Sequence, residues 1–551
     1  MDHGVSSLSG SVSPDLMVGD QDHSDTWSLR CHKKNIRLQK DDTKEVFMHH
    51  PTTSWHWLTA ALAALSLGAC GGGSGNSVVQ QSTPATPVVA AAGTYSITTD
   101  LLAPVVFSTA SAPAAASAPQ AQSQPFQMTV GYGSAAFHDP KDALNVLWTS
   151  SDRGPNIDCE DVADAPISIK GFCGNLAGKI FPDPSFDPSI YQVQLAQSGG
   201  QNMATTLKTL KIVDNNGNPV TGLSNDLPDR PKDLTKTTSS DKSVSNTELA
   251  FTKTLGSLPF NQNGLDTEAM VRLADGSFWL GDEYGPSLVH VSATGQVLER
   301  VVPNDSGVVN PITNKSMSVC DALKNGTAGA QAANYPINCA LLGITDLRSL
   351  NRGIESVALS ADGKTLYFSI QSPLSNPSKD AYKISRNVRL FTASLKSDGS
   401  FGQVTGEYVY VLDTPDTFAL DNSTKQNDVK LSEMSVTPGG KLIQLERISL
   451  TTKLYAVDLS KATNILGTKW DDRATQPSLE QQTDLASAGI VPVTKTLVFN
   501  TATDAKAATN PGKVEGLAFL DPNNFVLTTD NDFGIVSPQS YFYVINKALG
   551  Q

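Results

Sequence analysis

The sequence predicts an all-β fold built by radial repetition: a β-propeller with five readable blades and possible room for a sixth. Three observations predict it. From about residue 127 onward the chain runs in short apolar strands of period two, broken by Gly, Asp, Asn and Pro. Long helical periodicity is nearly absent. One charged hairpin pattern recurs along the chain, and a Glu stands at its entrance in four of five copies.

The segments before the repeats read as targeting and tether. The chain has 551 residues. Residues 1–47 are polar and patternless, either an over-long start or an extended n-region carrying the basic "RCHKKNIRLQK". Residues 48–70 read as a lipoprotein signal peptide: "WHWLTAALAALSLGAC" is an apolar run too short to span a bilayer, with small residues before Cys70. Cys70 is then the lipidated residue, which places the protein in the cell envelope as a periplasmic or outer-membrane lipoprotein, held to the membrane by its N-terminal lipid. Residues 71–126, rich in Ala, Pro, Ser, Thr and Gln, read as a linker that buries too little apolar surface to order itself.

The propeller domain is expected over 127–551. A formal net charge of -13 argues against a nucleic-acid partner. Four cysteines remain after the signal, in two close pairs: Cys159 with Cys173, and Cys320 with Cys339. An even count in an exported chain suggests two local disulfides, and no CxxC spacing supports a zinc site instead.

The clearest copy of the hairpin is "GLDTEAMVRLADGSFWLGDEYGP". It predicts strands at Ala269–Leu273 and Phe278–Leu280 around an Asp275-Gly276 turn, followed by Ser287–Val291 and Val297–Val301. Four antiparallel strands in this length make one blade. Further copies are "RGIESVALSADGKTLYFSIQSP", "KLSEMSVTPGGKLIQLERIS" and "KVEGLAFLDPNNFVLTTDNDFG", with a weaker first copy, "GSAAFHDPKDALNVLWTSSDRGPN", that has Ser134 for Glu. A sixth blade has room in 215–262 or 465–505. A sandwich also buries two faces of sheet, but it does not predict a recurring Glu at one strand entrance.

In a hairpin the first residue of one strand lies beside the last residue of the next. Each copy therefore puts an acid at strand entry near an acid or amide at strand exit. With the first strand innermost, Glu268, Glu355, Glu433 and Glu515 meet at one mouth of the channel and are the candidate catalytic residues. Glu268, Asp282, Glu283, Glu515, Asp530 and Asp532 are the candidate metal ligands. Oxygen donors of this kind suit Ca²⁺, with Mg²⁺ or Mn²⁺ as alternatives. A Glu at this place can equally accept backbone N–H bonds and lock neighbouring blades. Arg153, Arg352 and Arg447 lie within three residues of strand ends and are candidates to hold an anionic substrate, or else to pair with blade acids. The expected chain binds a small anionic ester and is a monomer.

Other hydrolase chemistries lack their residues. After the signal there is no G-x-S-x-G elbow, and His138 and His290 are the only histidines. Both fall where packing or a turn is expected. Metal-activated water is the chemistry best permitted.

"DRGPN", "GLDTEAMVRLADGSFWLGDEYGP", "NRGIESVALSADGKTLYFSIQSP" and "KVEGLAFL…DNDFG", in this order over about 127–550, resemble the bacterial phytase-like family known for "esterase-like activity of phytase". The resemblance implies a propeller-like fold, export or lipid anchoring, and hydrolysis of an ester such as the phosphomonoesters of phytate. The third Glu-bearing copy departs from the pattern, with Gly439-Gly440 for Asp-Gly. The insert 303–350 reads as a loop over the channel mouth or as decoration. A calcium-dependent lactonase or carboxylesterase, and a non-catalytic binding propeller, are the alternative readings.

Overall fold

The computed structural model describes residues 89–97, 100–107, 125–160, 172–236, 243–505 and 512–549. The segments 1–47 and 48–70, with Cys70, lie outside the described residues.

Among the described residues the strands group into five antiparallel sets, each entered from its inner edge. The first runs Ala135–Phe137, Val146–Ser150, Ser189–Ser198 and Gln201–Lys211. The second runs Thr267–Arg272, Phe278–Asp282, Ser287–Val291 and Val297–Pro303. The third runs Ile354–Leu359, Thr365–Ile370, Asn387–Leu395 and Phe401–Val411. The fourth runs Lys430–Val436, Leu442–Arg447, Thr452–Asp458 and Thr494–Asn500. The fifth runs Val514–Asp521, Asn524–Thr529 and Tyr541–Asn546, and its outer strand is Gly93–Ser96 from near the start of the chain. The five inner strands touch in a closed cycle, the last returning to the first. That closure is a β-propeller.

The sheets bury their faces against one another. Ala269, Val271 and Trp279 of the second set pack with Val357, Leu366 and Phe368 of the third. Ile443, Leu445 and Leu454 of the fourth pack with Leu517, Phe525 and Leu527 of the fifth. Burying each such side chain contributes about 1.5–3 kcal/mol. The hairpin turns need a left-handed residue. Gly276, Gly363 and Gly440 supply it, with φ of 91°, 70° and 84°. The change to Gly-Gly in the fourth set therefore leaves the turn intact.

Three expectations change. The tether does not extend unbroken over 71–126. Tyr95 and Phe107 are buried, and Gly93–Ser96 completes the fifth sheet, so the folded region begins before residue 127. A four-residue strand in an Ala- and Pro-rich stretch carries too little periodicity to stand out. Secondly, no sixth inner strand joins the ring among the described residues. Residues 215–262 give only short strands such as Ala250–Thr252, which pairs with Lys179–Phe181, and 465–505 ends in the outer strand of the fourth set. Thirdly, the insert 303–350 adds Ile337–Leu341 in parallel to the outer edge of the second sheet. It thereby covers an edge that would otherwise offer unpaired backbone groups. Cys339 lies on that strand.

The disulfides pair as the spacing suggests: Cys159–Cys173 and Cys320–Cys339, with Cα separations of 5.6 and 5.8 Å.

Candidate metal and anion site

Each entrance Glu falls at a break in strand register. The breaks lie between Thr267 and Ala269, Ile354 and Ser356, Leu431 and Met434, and Val514 and Gly516. A bulge frees one residue from the ladder and re-aims its side chain. Glu268, Glu355 and Glu515 are turned by their bulges into one cleft of about 110 Å³. Asp152, Asp266, Glu283, Asp530 and Asp532 supply five more carboxylates, and Arg153, Lys179, Arg352, Lys430 and Lys513 supply the cations.

Glu433 does not join them. Its bulge frees two residues, and Ser432, not Glu433, is the one that reaches the cleft residue Glu355. The Ser432 hydroxyl donates to Glu355 Oε2 at 2.9 Å and accepts from Arg447 Nε at 2.8 Å. Glu433 is fully buried and accepts the backbone N–H of Ala136 at 3.2 Å and of Met434 at 3.3 Å. Ala136 belongs to the inner strand of the first sheet, so Glu433 bonds across the ring. Burial pushes its carboxyl well above the usual range. The spacing carried the signal: Glu268 and Glu355 stand eight residues before their turn glycines, Gly276 and Gly363, but Glu433 stands seven before Gly440.

Two groups of carboxylates have ligand atoms within 4.8 Å of one another: Asp152, Asp266 and Glu268, and Asp152, Asp530 and Asp532. Charged oxygens at that distance repel by on the order of 3 kcal/mol per pair at an effective dielectric of about 20. Their acidities record the crowding. Burial, then Asp266, pushes Asp152 well above the carboxylate range. Burial, then Glu515, Asp266 and Asp152, does the same to Glu268. Burial lifts Asp266 to about 6 although Arg153 opposes the change. In the second group Lys513 already supplies a cation. It pairs with Asp530 at 2.6 Å and with Asp532. Burial is the largest influence on Asp532 and raises it, but Lys513, Asp530 and Lys179 together hold that carboxyl down. In the first group Arg153 Nη1 stands 3.6 Å from Asp266, Asp152 and Glu268 have no salt-bridge partner among the described residues, and the all-carboxylate donor set fits a hard divalent ion.

Of the predicted ligands, Glu268, Asp530 and Asp532 thus fall in these groups, while Glu283 and Glu515 line the cleft beside them. Asp282 is placed elsewhere. One of its oxygens meets Arg300 Nη2 at 2.6 Å and Ser287 Oγ at 3.0 Å, and the other accepts the N–H of Tyr284 and of Gly285. Protein donors occupy its lone pairs, because the strand partner of Asp282 is Thr267 rather than the bulged Glu268.

The arginines divide likewise. Arg153 lines the cleft with its donors committed: Nε to Gly222 O at 3.0 Å, Nη1 to Glu248 at 2.8 Å and Nη2 to Ser224 Oγ at 3.1 Å. Its guanidinium also stacks over the Tyr284 ring at 4.6 Å. A Cβ on Gly222 would lie 1.5 Å from the Arg153 carbonyl oxygen, so only glycine permits that approach. Arg447 is buried beneath the cleft, bound to Glu515 and Ser432. Arg352 remains at the wall, 3.4 Å from Glu283.

Sequence reasoning missed Asp152, Asp266, Lys179, Lys430 and Lys513 as site residues. Asp152 adjoins Arg153, and Asp266 lies two residues before Glu268 in the same motif, which were usable signals. The lysines recur in no common position. The histidines pack as expected: His290 stacks on Trp279 at 4.6 Å and meets Ser277 Oγ at 3.0 Å, and His138 Nδ1 meets Val146 O at 2.8 Å.

A family model described as "Phytase-like: Esterase-like activity of phytase" matches residues 180–533, more than half of the chain. An "Uncharacterized secreted protein" of Arthroderma benhamiae is 30% identical over 191 residues, which are 34% of this chain and 34% of that protein. The chain therefore matches about a third of that relative's length. Regucalcin, a calcium-binding protein of Agrobacterium tumefaciens, is 11% identical with a TM-score of 0.26, covering 77% of this chain and 96% of its own. The periplasmic gluconolactonase PpgL of Pseudomonas aeruginosa is 10% identical with a TM-score of 0.25, covering 83% and 100%. Likeness at that level does not bear on activity. No helix among the described residues is long and apolar enough to cross a membrane.

Proposed function

The chain belongs to the phytase-like family of esterase-like activity, which supports a hydrolase, and from that premise we propose a divalent-metal-dependent esterase or phosphomonoesterase on a five-bladed propeller. The substrate is a small anionic ester. The observation that carries the reading is the convergence of Asp152, Asp266 and Glu268 within 4.8 Å. These residues would hold the ion, with Ca²⁺ the natural choice and Mg²⁺ or Mn²⁺ as alternatives. When bound, such an ion supplies a water of lowered pKa and neutralises charge on the ester oxygens.

The chain's own groups do the rest. Glu283 lies against Glu355, and burial followed by that neighbour pushes its carboxyl well up. It therefore holds a proton that it can give to a leaving oxygen. Arg352 at the wall orients the anionic group. Export follows the secreted relative, and the Cys70 motif favours a lipid anchor at the cell envelope. The protein acts as a monomer.

The full-length protein is expected to hydrolyse p-nitrophenyl phosphate or glycerol 2-phosphate. A chelator should reduce the rate at least a hundredfold, and added calcium should restore it. An undiminished rate in chelator would sink the metal reading. Turnover of p-nitrophenyl acetate or lactones alone would move the substrate to a carboxylic ester. No turnover together with no calcium-dependent melting shift would leave a binding propeller.

A further inference from the structure

One corner of the cleft, beside Glu283 and Glu355, carries cations and amides suited to a ligand of different charge. Two backbone hydrogen bonds assemble it. Gln371 N–H donates to Gly353 O at 2.7 Å, and Leu431 N–H donates to Gln371 O at 2.9 Å. Arg352, Gln371 and Lys430 are thereby drawn into one corner from the third and fourth sheets. Lys430 stands directly across its hairpin from Arg447.

The corner has unused polar atoms. Gln371 is fully buried, and its Nε2 donates to Glu355 while its Oε1 has no partner. Asn351 Oδ1 and Arg352 Nε are also buried without partners. Asn351 is held at φ 52°, a left-handed conformation that a non-glycine residue adopts only when its surroundings require it. Among the described residues, the Lys430 ammonium has neighbouring charges but no hydrogen-bond partner. All four residues line the cleft. Buried polar groups in a folded protein are normally satisfied. Here the Lys430 ammonium, the Nε of Arg352 (whose Nη1 is bound to Glu283 and Asn351 O) and two amide carbonyl oxygens line one cleft without hydrogen-bond partners.

From this corner we infer that the recognised part of the substrate is a small oxyanion flanked by free hydroxyl groups, bound by Lys430 and Arg352 through its charge and by Gln371 and Asn351 through its hydroxyls. This deepens the hydrolase reading and rests on it for the bond that is cleaved. An anion alone satisfies the two cations and leaves both carbonyl oxygens bare. A hydroxyl donor next to the anion satisfies them too. The site thus favours a partly phosphorylated polyol or a similar hydroxylated ester over one whose hydroxyls are all substituted. Lys430 is the specificity residue new to the site. Burial, with Arg447 and Arg352 beside it, brings its pKa down to about 7, so a bound anion is what best retains its charge.

Calorimetric titration of the full-length protein in chelator at about pH 6 tests this without relying on turnover. Glycerol 2-phosphate is expected to bind at least tenfold more tightly than ethyl phosphate. Lys430→Met should weaken both at least tenfold, and Lys430→Arg should keep both. Gln371→Leu should remove the preference while leaving ethyl phosphate within about threefold. The melting temperature of Lys430→Met should not fall below that of the wild type, since an unpaired ammonium is lost. Equal binding of the two esters by the wild type, or unchanged binding by Lys430→Met, would overturn the inference. Binding as predicted without turnover under any metal would overturn the hydrolase reading and keep this one.

Discussion

Glu268 and Glu433 look alike in sequence and are predicted to behave in opposite ways. Glu433 accepts backbone N–H groups from two sheets. Glu433→Ala strands those donors, which should cost about 1–3 kcal/mol. It should lower the melting temperature and leave any calcium-induced shift in place. Glu268 faces other carboxylates, and burial with their charge raises its pKa well above the ordinary 4.5. The folded state therefore keeps a proton that the unfolded chain releases. That contribution to stability is complete below about pH 4.5 and declines as pH rises toward the folded value. Glu268→Gln should flatten the decline in metal-free protein and abolish the calcium shift. Melting curves in chelator and in calcium, across about pH 4 to 8, check both. Three of the four entrance Glu residues were legible as cleft residues because a repeat fixes their place. Glu433 was misread because one residue of spacing decides which side of a bulge it takes. Lys430 stands three residues before Glu433, as Arg352 does before Glu355, a signal that was not used, whereas Lys513 stands two before Glu515 and shares no cation position with them.

At the scale of elements, the strand that completes the fifth sheet is the feature least visible in sequence. Gly93–Ser96 pairs with Tyr541–Asn546 in a stretch whose composition reads as a tether. The hairpins themselves were legible. The observed Thr267–Arg272 and Phe278–Asp282 differ from their predicted bounds by no more than two residues at any end, because turn glycines mark them. A chain starting at residue 127 loses the closing strand and the buried Tyr95 and Phe107. Each of those side chains is worth about 1.5–3 kcal/mol, and an open sheet edge is left behind. That truncation should melt well below the full chain and aggregate. A chain starting at residue 89, which keeps every described residue, is the reference for that loss. Melting and light scattering of the two truncations separate the outcomes.

The whole molecule brings residues from distant parts of the chain to one mouth of a ring. Asp152 comes from the first sheet, Glu268 from the second and Asp532 from beyond the fifth set's second strand. The ring was legible because five copies of one hairpin cannot bury their faces separately. The pairing of cations with carboxylates at its mouth was not, since it depends on which bulges point inward. The Asp152, Asp266 and Glu268 group is proposed to bind one divalent cation. Calcium titrated calorimetrically into metal-free wild type and into Asp152→Asn tests it most directly. The account predicts one saturable site in the wild type and at least a tenfold loss of affinity in Asp152→Asn. No heat of binding in the wild type, or equal affinity in both proteins, would contradict it.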